Sequence, residues 1–198
     1  MLTYANQLTI LRMVFAPLVV VLLIYGHPTM ALLIFFLAGV TDALDGLLAR
    51  ALGQKTELGS FLDPMADKVL LTSVFITLTI PWLPVALHIP AWLTILTIGR
   101  DIMIAVSVLI IHLQTRHSKF PPSFLGKCTT ALQLLLVGDC LVANVWLDFG
   151  TLLFQPFVYV TLLLTVASGL HYFYRSVKII EAYQKAAPGN GQRRDQNS

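Results

Sequence analysis

Charged side chains are scarce in this chain. Of its 198 residues, 57% are hydrophobic and 12% are charged, whereas an ordinary soluble domain is roughly 45–50% apolar and about 25% charged. This shortage excludes a typical water-soluble globule. Three segments, 13–41, 69–99 and 149–174, contain no Asp, Glu, Lys or Arg at all. Uncharged stretches of that length are typical of membrane-spanning helices.

Cysteine is also rare, and its placement excludes two further classes of protein. The two cysteines, Cys128 and Cys140, lie in apolar sequence without CxxC or Cys/His spacing, so neither a disulfide framework nor a zinc site is indicated. A basic leader followed by a short apolar stretch and a cleavage site is missing as well. We therefore expect residues 8–25 to form a retained first span rather than a removed signal.

Proline, glycine and charge divide the apolar sequence into six predicted helices, at about 8–26, 30–51, 58–80, 90–113, 124–147 and 150–181. Pro81, Pro84 and Pro90 split the longest uncharged segment into two of them. The predicted fold is an all-α integral membrane protein with six transmembrane helices and a short N-terminal interfacial segment. Residues 1–185 would form a single domain, and the polar residues 186–198 a disordered tail.

Lysine and arginine are concentrated on one side of this predicted topology, which places both termini in the cytoplasm. These flanks also explain the net charge of +3, so the basic balance favours an anionic lipid surface and not a nucleic acid as partner. The residues on that side are Arg50, Lys55, Arg116, Lys119, Lys127, Lys178, Lys185, Arg193 and Arg194.

Four aspartates lie at the cytoplasmic ends of the second and third predicted helices. Carboxylates in an apolar setting are costly and repel one another, so a cation is expected to compensate them. At roughly 100° per residue, each helix presents its carboxylates on one stripe. If the stripes face each other, their carboxylate oxygens suit two Mg²⁺ or Mn²⁺ ions. Such ions commonly take phosphate oxygens of a substrate as further ligands, so a phosphate-bearing substrate is indicated. The aspartates are Asp42, Asp45, Asp63 and Asp67.

Small residues share these stripes. Gly46, Ala49 and Gly59 would let a ligand approach the backbone, and Arg50 could bind a phosphate with two hydrogen bonds. Close helix packing is the alternative explanation for each small residue taken singly. The neighbouring aspartates favour the ligand interpretation.

The spacing D-x2-D-G-x2-A-R-x8-G-x3-D-x3-D, which runs from Asp42 to Asp67, resembles the signature of the CDP-alcohol phosphatidyltransferases. The likeness extends to the opening NQLTILRMVFAP, to PSFLGKCTTALQ and to the closing SGLHYFYR. It implies transfer of a phosphatidyl group from CDP-diacylglycerol to an alcohol, with release of CMP, by a homodimer.

The resemblance also implies residue roles. Two divalent cations, Mg²⁺ or Mn²⁺, would be held by Asp42, Asp45, Asp63 and Asp67, and Asp67 would also be the catalytic base. The CDP-lipid would be bound by residues of the N-terminal segment, of the second and third helices and of the connection between these two helices. These are Asn6, Asp45, Gly46, Ala49, Arg50, Thr56 and Gly59.

Two branches of the family match, and they differ in the acceptor. Phosphatidylglycerophosphate synthases use glycerol 3-phosphate, which is our first expectation, whereas cardiolipin synthases use phosphatidylglycerol. A compact anionic acceptor needs cations, and Lys127 and Arg175 are the candidates. The active site would lie at the cytoplasmic face of a bacterial inner membrane, or at the matrix face of an organellar membrane. A divalent-cation transporter is a remote alternative, since its acids would lie near the membrane midplane.

Arg100 and Asp101 lie midway along the fourth predicted helix, where ionisable residues suggest a function. Adjacent positions diverge by about 100°, so we do not expect these two to pair. Asp139, at a similar depth in the next helix, is the expected structural partner of Arg100. A role for Arg100 in acceptor binding is the alternative.

Overall fold

The computed structural model describes residues 4–52, 57–115 and 124–186, with backbone alone at 4–9, 43–52, 57–64, 112, 114–115, 147–152 and 180–186. Within these ranges the chain is all-helical, as predicted. The helices are α1 (Tyr4–Ile24), α2 (Pro28–Leu52), α3 (Glu57–Thr79), α4 (Ala91–Thr115), α5 (Phe124–Val145) and α6 (Leu147–Ala186). The predicted tail lies outside the described residues, apart from Ala186.

The predicted helix bounds lie within two residues of those in the structure, except at the start of α1 and at both ends of α6. Residues from Tyr4 onward already belong to α1 and do not form a separate short helix, so the interfacial position of residues 1–9 stays a prediction. α6 begins at Leu147, directly after Trp146, and runs for 40 residues with Pro156 inside it. Proline is compatible with the first turns of a helix but removes one hydrogen bond further along it.

Three described segments are long and apolar enough to cross a membrane: Ala91–Ile111, Phe124–Val145 and Leu153–Ile179. The apolar parts described in the first two helices, Ile10–Ile24 and Pro28–Asp42, are shorter. Large apolar side chains on α4, among them Ile95, Ile102 and Leu109, are exposed, as expected for a helix surrounded by lipid. The chain is a membrane-embedded protein.

The chain forms two compact units. The first contains Met1–Thr94 and Ala131–Thr161, and the second contains Ile95–Thr130 and Leu162–Ser198. In the first unit, α1 packs against both α2 and α3. Its buried stripe of Ala16, Val19 and Leu23, each at most 1% exposed, has the three-and-four spacing of a helix face turned toward its neighbours.

A tight turn reverses the chain between α1 and α2. Gly26 has a φ of 74°, its N–H donates to the carbonyl of Leu23, and the N–H of His27 donates to the carbonyl of Leu22. This pair of bonds is a Schellman cap, in which glycine adopts the left-handed conformation without strain. Pro28 then begins α2, at a position where its missing N–H costs nothing. α1 and α2 are therefore antiparallel neighbours.

The side chain of Asn144 holds the connection between α3 and α4 to α5. The N–H of Leu87 donates to Oδ1 of Asn144 over 2.8 Å, and Nδ2 of Asn144 donates to the carbonyl of Leu87 over 3.0 Å. The amide thereby satisfies both backbone groups of Leu87, as a neighbouring strand would. The proline-rich connection is fixed in place although it has no regular structure.

Candidate active site

The same helix faces that build the first unit bring three charged residues together. Arg12 precedes Ala16, Val19 and Leu23 on the buried stripe of α1. In α2, the buried residues Ala31, Phe35 and Ala38 continue by one further helical step to Asp42. The antiparallel course of α1 and α2 then sets the beginning of one helix beside the far part of the other.

Asp67 comes from the third helix of this unit. It follows Ala66, which is fully buried, and it is itself about half exposed, as is Asp42. α3 packs on α1, so Asp67 approaches Arg12 from a different direction than Asp42 does. Each of the three helices contributes one charged side chain to the same point.

The guanidinium of Arg12 bridges the two carboxylates. Its Nη2 lies 2.7 Å from Oδ1 of Asp42, as an ion pair without hydrogen-bond alignment. Its Nη1 donates a hydrogen bond to Oδ1 of Asp67. The first and last aspartates of the sequence motif, 25 positions apart in the chain, are thereby adjacent in space.

Burial is distributed unequally over this cluster. The side chain of Arg12 is 1% exposed, whereas those of Asp42 and Asp67 are 48% and 45% exposed. A buried arginine needs a paired anion because desolvation otherwise costs several kcal/mol, about 3–5 when one partner of such a pair is removed. The guanidinium therefore lies on the protein side of the carboxylates, about half of whose side-chain surface is exposed.

Sequence reasoning missed Arg12. The signal was present, because an ionisable residue inside a predicted membrane helix is a functional candidate by default. Arg12 was overlooked because the first long uncharged segment begins just after it, at Met13, and because it belongs to no part of the aspartate motif.

A divalent cation fits this donor set. Carboxylate oxygens are the ligands that Mg²⁺ and Mn²⁺ prefer, and Asp42 and Asp67 present two carboxylates side by side. Among the residues whose side chains are described, there is no group of three or more acids, cysteines or histidines that could hold a metal. The side chains of Asp45 and Asp63 lie outside that part of the structure, so their metal-binding role stays a prediction.

The other predicted CDP-lipid residues also lie beyond the described side chains. Asn6 belongs to α1, Gly46, Ala49 and Arg50 belong to α2, and Gly59 belongs to α3. Thr56 is outside the described residues. The helix membership of Gly46, Ala49, Arg50 and Gly59 agrees with the prediction, whereas Asn6 was predicted to lie in the N-terminal segment before the first helix. The contacts of all these residues stay predicted.

Comparison with known proteins identifies the family. Residues 2–167 match the family model described as CDP-alcohol phosphatidyltransferase. The chain belongs to the CDP-alcohol phosphatidyltransferase family. This confirms the resemblance inferred from the aspartate spacing, and members of this family generally depend on a divalent metal.

Curated relatives within the phosphatidyltransferase family carry two kinds of name. The CMP-forming cardiolipin synthase of Rattus norvegicus is 34% identical over 195 residues, which cover 90% of this chain and 63% of the relative. The CDP-diacylglycerol–glycerol-3-phosphate 3-phosphatidyltransferase of Haemophilus influenzae is 36% identical over 169 residues, covering 83% of this chain and 88% of the relative.

A third relative agrees with the Haemophilus protein. The probable phosphatidylglycerophosphate synthase of Mycobacterium tuberculosis is 34% identical, and the match covers 92% of this chain and 86% of the relative. The chain thus spans less than two thirds of the length of the mammalian cardiolipin synthases, but most of the length of the bacterial glycerol-phosphate enzymes.

The predicted acceptor residues lie in the second unit. Lys127, in the first turn of α5, is exposed, and Arg175, in α6, is partly buried. Both are described, and their role in binding the acceptor stays a prediction.

Arg100 corrects one prediction. Its Nη1 donates to Oδ1 of Asp101 over 2.8 Å, and its Nη2 donates to Oγ of Ser168 over 2.6 Å. The ring of Tyr172 lies 5.9 Å from the guanidinium carbon. The expectation that adjacent positions cannot pair was wrong, because it considered only the Cβ directions and not the reach of an arginine side chain. The observed contacts of Arg100 with Asp101 and Ser168 also leave the expected Arg100–Asp139 bridge without support.

This cluster joins α4 to α6 inside the second unit, and its strength can be measured. Ser168→Ala removes the acceptor from the buried Nη2 of Arg100, which should cost about 1–3 kcal/mol and lower the thermal midpoint in detergent. Thr165→Val is the matched control, since this buried hydroxyl on the same helix has no hydrogen-bond partner in the described structure. Equal midpoints for Ser168→Ala and Thr165→Val would show that the Arg100–Ser168 bond adds nothing.

Proposed function

We propose that this protein transfers the phosphatidyl group of CDP-diacylglycerol to glycerol 3-phosphate, giving phosphatidylglycerophosphate and CMP. The observation that supports it best is the meeting of Asp42 and Asp67 from two helices at one point, within a chain of the CDP-alcohol phosphatidyltransferase family. The near full-length match to the Haemophilus influenzae glycerol-phosphate enzyme favours this acceptor.

The proposed chemistry is an in-line displacement at phosphorus. The acceptor hydroxyl attacks the β-phosphorus of the CDP-lipid, Asp67 takes the hydroxyl proton on a carboxylate oxygen, and the bond from that phosphorus to the bridging oxygen breaks as CMP leaves. Two divalent cations, held by Asp42, Asp45, Asp63 and Asp67, would supply neutralisation of the diphosphate and of the departing CMP. The exposed sides of Asp42 and Asp67 support this placement.

The remaining predicted residues complete the proposed site. Arg50 on α2 would bind the diphosphate group of the CDP-lipid. Gly46 and Ala49 on α2 and Gly59 on α3 would allow this group to approach the backbone closely. Thr56 would contact the CDP moiety, with Asn6 near it, and Lys127 and Arg175 would bind the acceptor phosphate. The roles of the CDP-lipid residues follow from the family resemblance, and those of Lys127 and Arg175 follow from the charge of the acceptor.

A second candidate is a cardiolipin synthase that uses phosphatidylglycerol as the acceptor. The names of the Rattus norvegicus and Homo sapiens relatives, at 34% and 33% identity over 90% of this chain, favour it. The donor lipid, the released CMP and the aspartate site would be the same. The two candidates differ only in what occupies the acceptor side.

We further propose six membrane spans with both termini in the cytoplasm, and a homodimer in the membrane. The uncharged segments and the one-sided distribution of lysine and arginine support the topology. It places the aspartates at the cytoplasmic face, where a water-soluble acceptor is available.

One assay tests the proposed function and separates its alternatives. Purified protein is given CDP-diacylglycerol with Mg²⁺, Mn²⁺ or EDTA, together with glycerol 3-phosphate, phosphatidylglycerol, inositol phosphate or serine, and released CMP is measured. We expect cation-dependent CMP release with glycerol 3-phosphate. Release with phosphatidylglycerol alone would replace this function by the second candidate. No CMP release with any of the four acceptors would contradict the transferase proposal.

The preparation needs an internal control, because an expression host contains its own phosphatidyltransferases. A mock preparation, purified in the same way from host cells that lack this protein, carries the same contaminants. Activity that is equal in the two preparations belongs to the host.

A further inference from the structure

Arg12 is the most deeply buried charge among the described residues of the first unit, and the aspartate motif does not include it. It contacts two carboxylates through two different nitrogens, one carboxylate from α2 and one from α3. Its own helix, α1, packs on both. The guanidinium is therefore the point at which three helices are tied together by charge.

The shape of the guanidinium matters for this arrangement. Its nitrogens are fixed in one plane, so Nη1 and Nη2 hold their two partner oxygens at a set separation and direction. A lysine ammonium is a compact point charge on a flexible stem and imposes no such geometry. Asp42 and Asp67 thus have a defined relative placement that depends on the identity of residue 12.

Electrostatics give the bridge a second effect. Two carboxylates close together in a partly dry site repel each other, and a cation between them offsets the repulsion. Arg12 supplies this cation from the buried side and leaves the exposed side of both carboxylates available. Arg12 thus gives the site a permanent positive charge in addition to any cation that enters from outside.

We propose that Arg12 is a positioning residue, a built-in cation that holds Asp42 and Asp67 together before a divalent cation binds. The inference rests on the proposed function, in which both aspartates are metal ligands. In the wild-type protein the cation-free site is already assembled. Without Arg12 the carboxylates separate until a divalent cation takes over the neutralisation. The stability of an Arg12 variant should therefore depend more strongly on divalent cation than that of the wild type.

Thermal unfolding in detergent, with EDTA or with saturating Mn²⁺, tests this dependence without using activity. We expect Arg12→Gln to lower the midpoint by about 10 °C in EDTA, as for a broken buried ion pair, and Mn²⁺ to restore half of this loss or more. The rise produced by Mn²⁺ should be clearly larger in Arg12→Gln than in the wild type. Arg12→Lys, which keeps the charge without the fork, should fall between them.

Leu23→Ala is the matched control. Leu23 is fully buried on the same stripe of α1, and it does not contact the carboxylates. Its truncation should lower the midpoint equally with and without Mn²⁺. The proposal would be overturned if Mn²⁺ raised the thermal midpoint of Arg12→Gln no more than those of the wild type and Leu23→Ala. Arg12 would then contribute only to the packing of the helices.

Two further outcomes remain decisive. If Arg12→Gln cannot be purified folded, Arg12→Lys carries the comparison, and an Mn²⁺ rise equal to that of the wild type overturns the proposal. If Mn²⁺ does not change the wild-type midpoint and EDTA does not stop CMP release, the metal-ligand role of the aspartates fails together with this inference. Failure of the Arg12 inference alone leaves the cation-dependent CMP release of the wild type intact.

Discussion

Asp67→Asn is expected to abolish CMP release while the protein still binds CDP-diacylglycerol. Asparagine keeps the shape of the side chain but cannot accept the proton of the acceptor hydroxyl, and a lost general base typically costs about 10²- to 10⁴-fold in rate. Loss of one metal-binding oxygen adds to the effect. The measurement is the initial rate of CMP release, with binding of the CDP-lipid followed separately by calorimetry.

The contact with Arg12 means that Asp67→Asn should also lower stability. The buried guanidinium loses one of its two carboxylates and keeps the pair with Asp42. We therefore expect a lower thermal midpoint with the fold retained, and the rate must be measured below that midpoint. Asp139→Asn is the matched control: it makes the same chemical change on α5, outside the aspartate motif, and should leave CMP release unchanged.

The base assignment has a clear counter-result. Turnover of folded Asp67→Asn within a few fold of the wild type would show that Asp67 neither accepts the proton nor holds an essential cation. If the rate of CMP release and the affinity for the CDP-lipid fell together in Asp67→Asn, Asp67 would instead be assigned to substrate binding alone.

Lys127→Ala and Arg175→Ala are expected to raise the KM for glycerol 3-phosphate, each by about 10-fold or more, with a smaller change in kcat. A hydrogen bond to a charged group is worth about 1.5–3 kcal/mol, which corresponds to roughly 10- to 150-fold in affinity. The KM for CDP-diacylglycerol should stay the same. The measurement is a full titration of each substrate at saturating concentration of the other.

Lys178→Ala controls for a general change of basic charge on this part of the chain. Lys178 is exposed on α6, three positions after Arg175, and its removal should leave both KM values unchanged. An unaltered KM for glycerol 3-phosphate in both Lys127→Ala and Arg175→Ala would show that the acceptor phosphate binds elsewhere. A raised KM for phosphatidylglycerol, with the KM for glycerol 3-phosphate unchanged, would favour the cardiolipin synthase candidate.

The helical architecture could be predicted closely because its signals are local. Uncharged segments, the prolines at 81, 84 and 90, and the polar connections gave six helices with bounds near those described. The α5–α6 boundary was predicted two to three residues too late, since only Trp146 separates the two helices. No glycine or proline marks that break, and the periodicity of two consecutive apolar helices does not reveal it.

Side-chain partners were harder to predict than helices. Arg100 was assigned Asp139 from depth alone, whereas in the structure it reaches its own neighbour Asp101 and Ser168, 68 positions away. Helical angles describe where a side chain leaves the backbone. They do not describe where a long flexible side chain ends, which depends on the nearest polar group in an apolar surrounding.

The sequence by itself determined the family, the all-helical fold and the aspartate motif, because these depend on composition, periodicity and fixed spacing within one stretch of chain. The role of Arg12 was decided only by the tertiary structure. Its two partners lie 30 and 55 positions further along the chain, and the packing of α1 against α2 and α3 brings them together. A buried charge is stabilised by what surrounds it in space, and no local pattern encodes that neighbourhood.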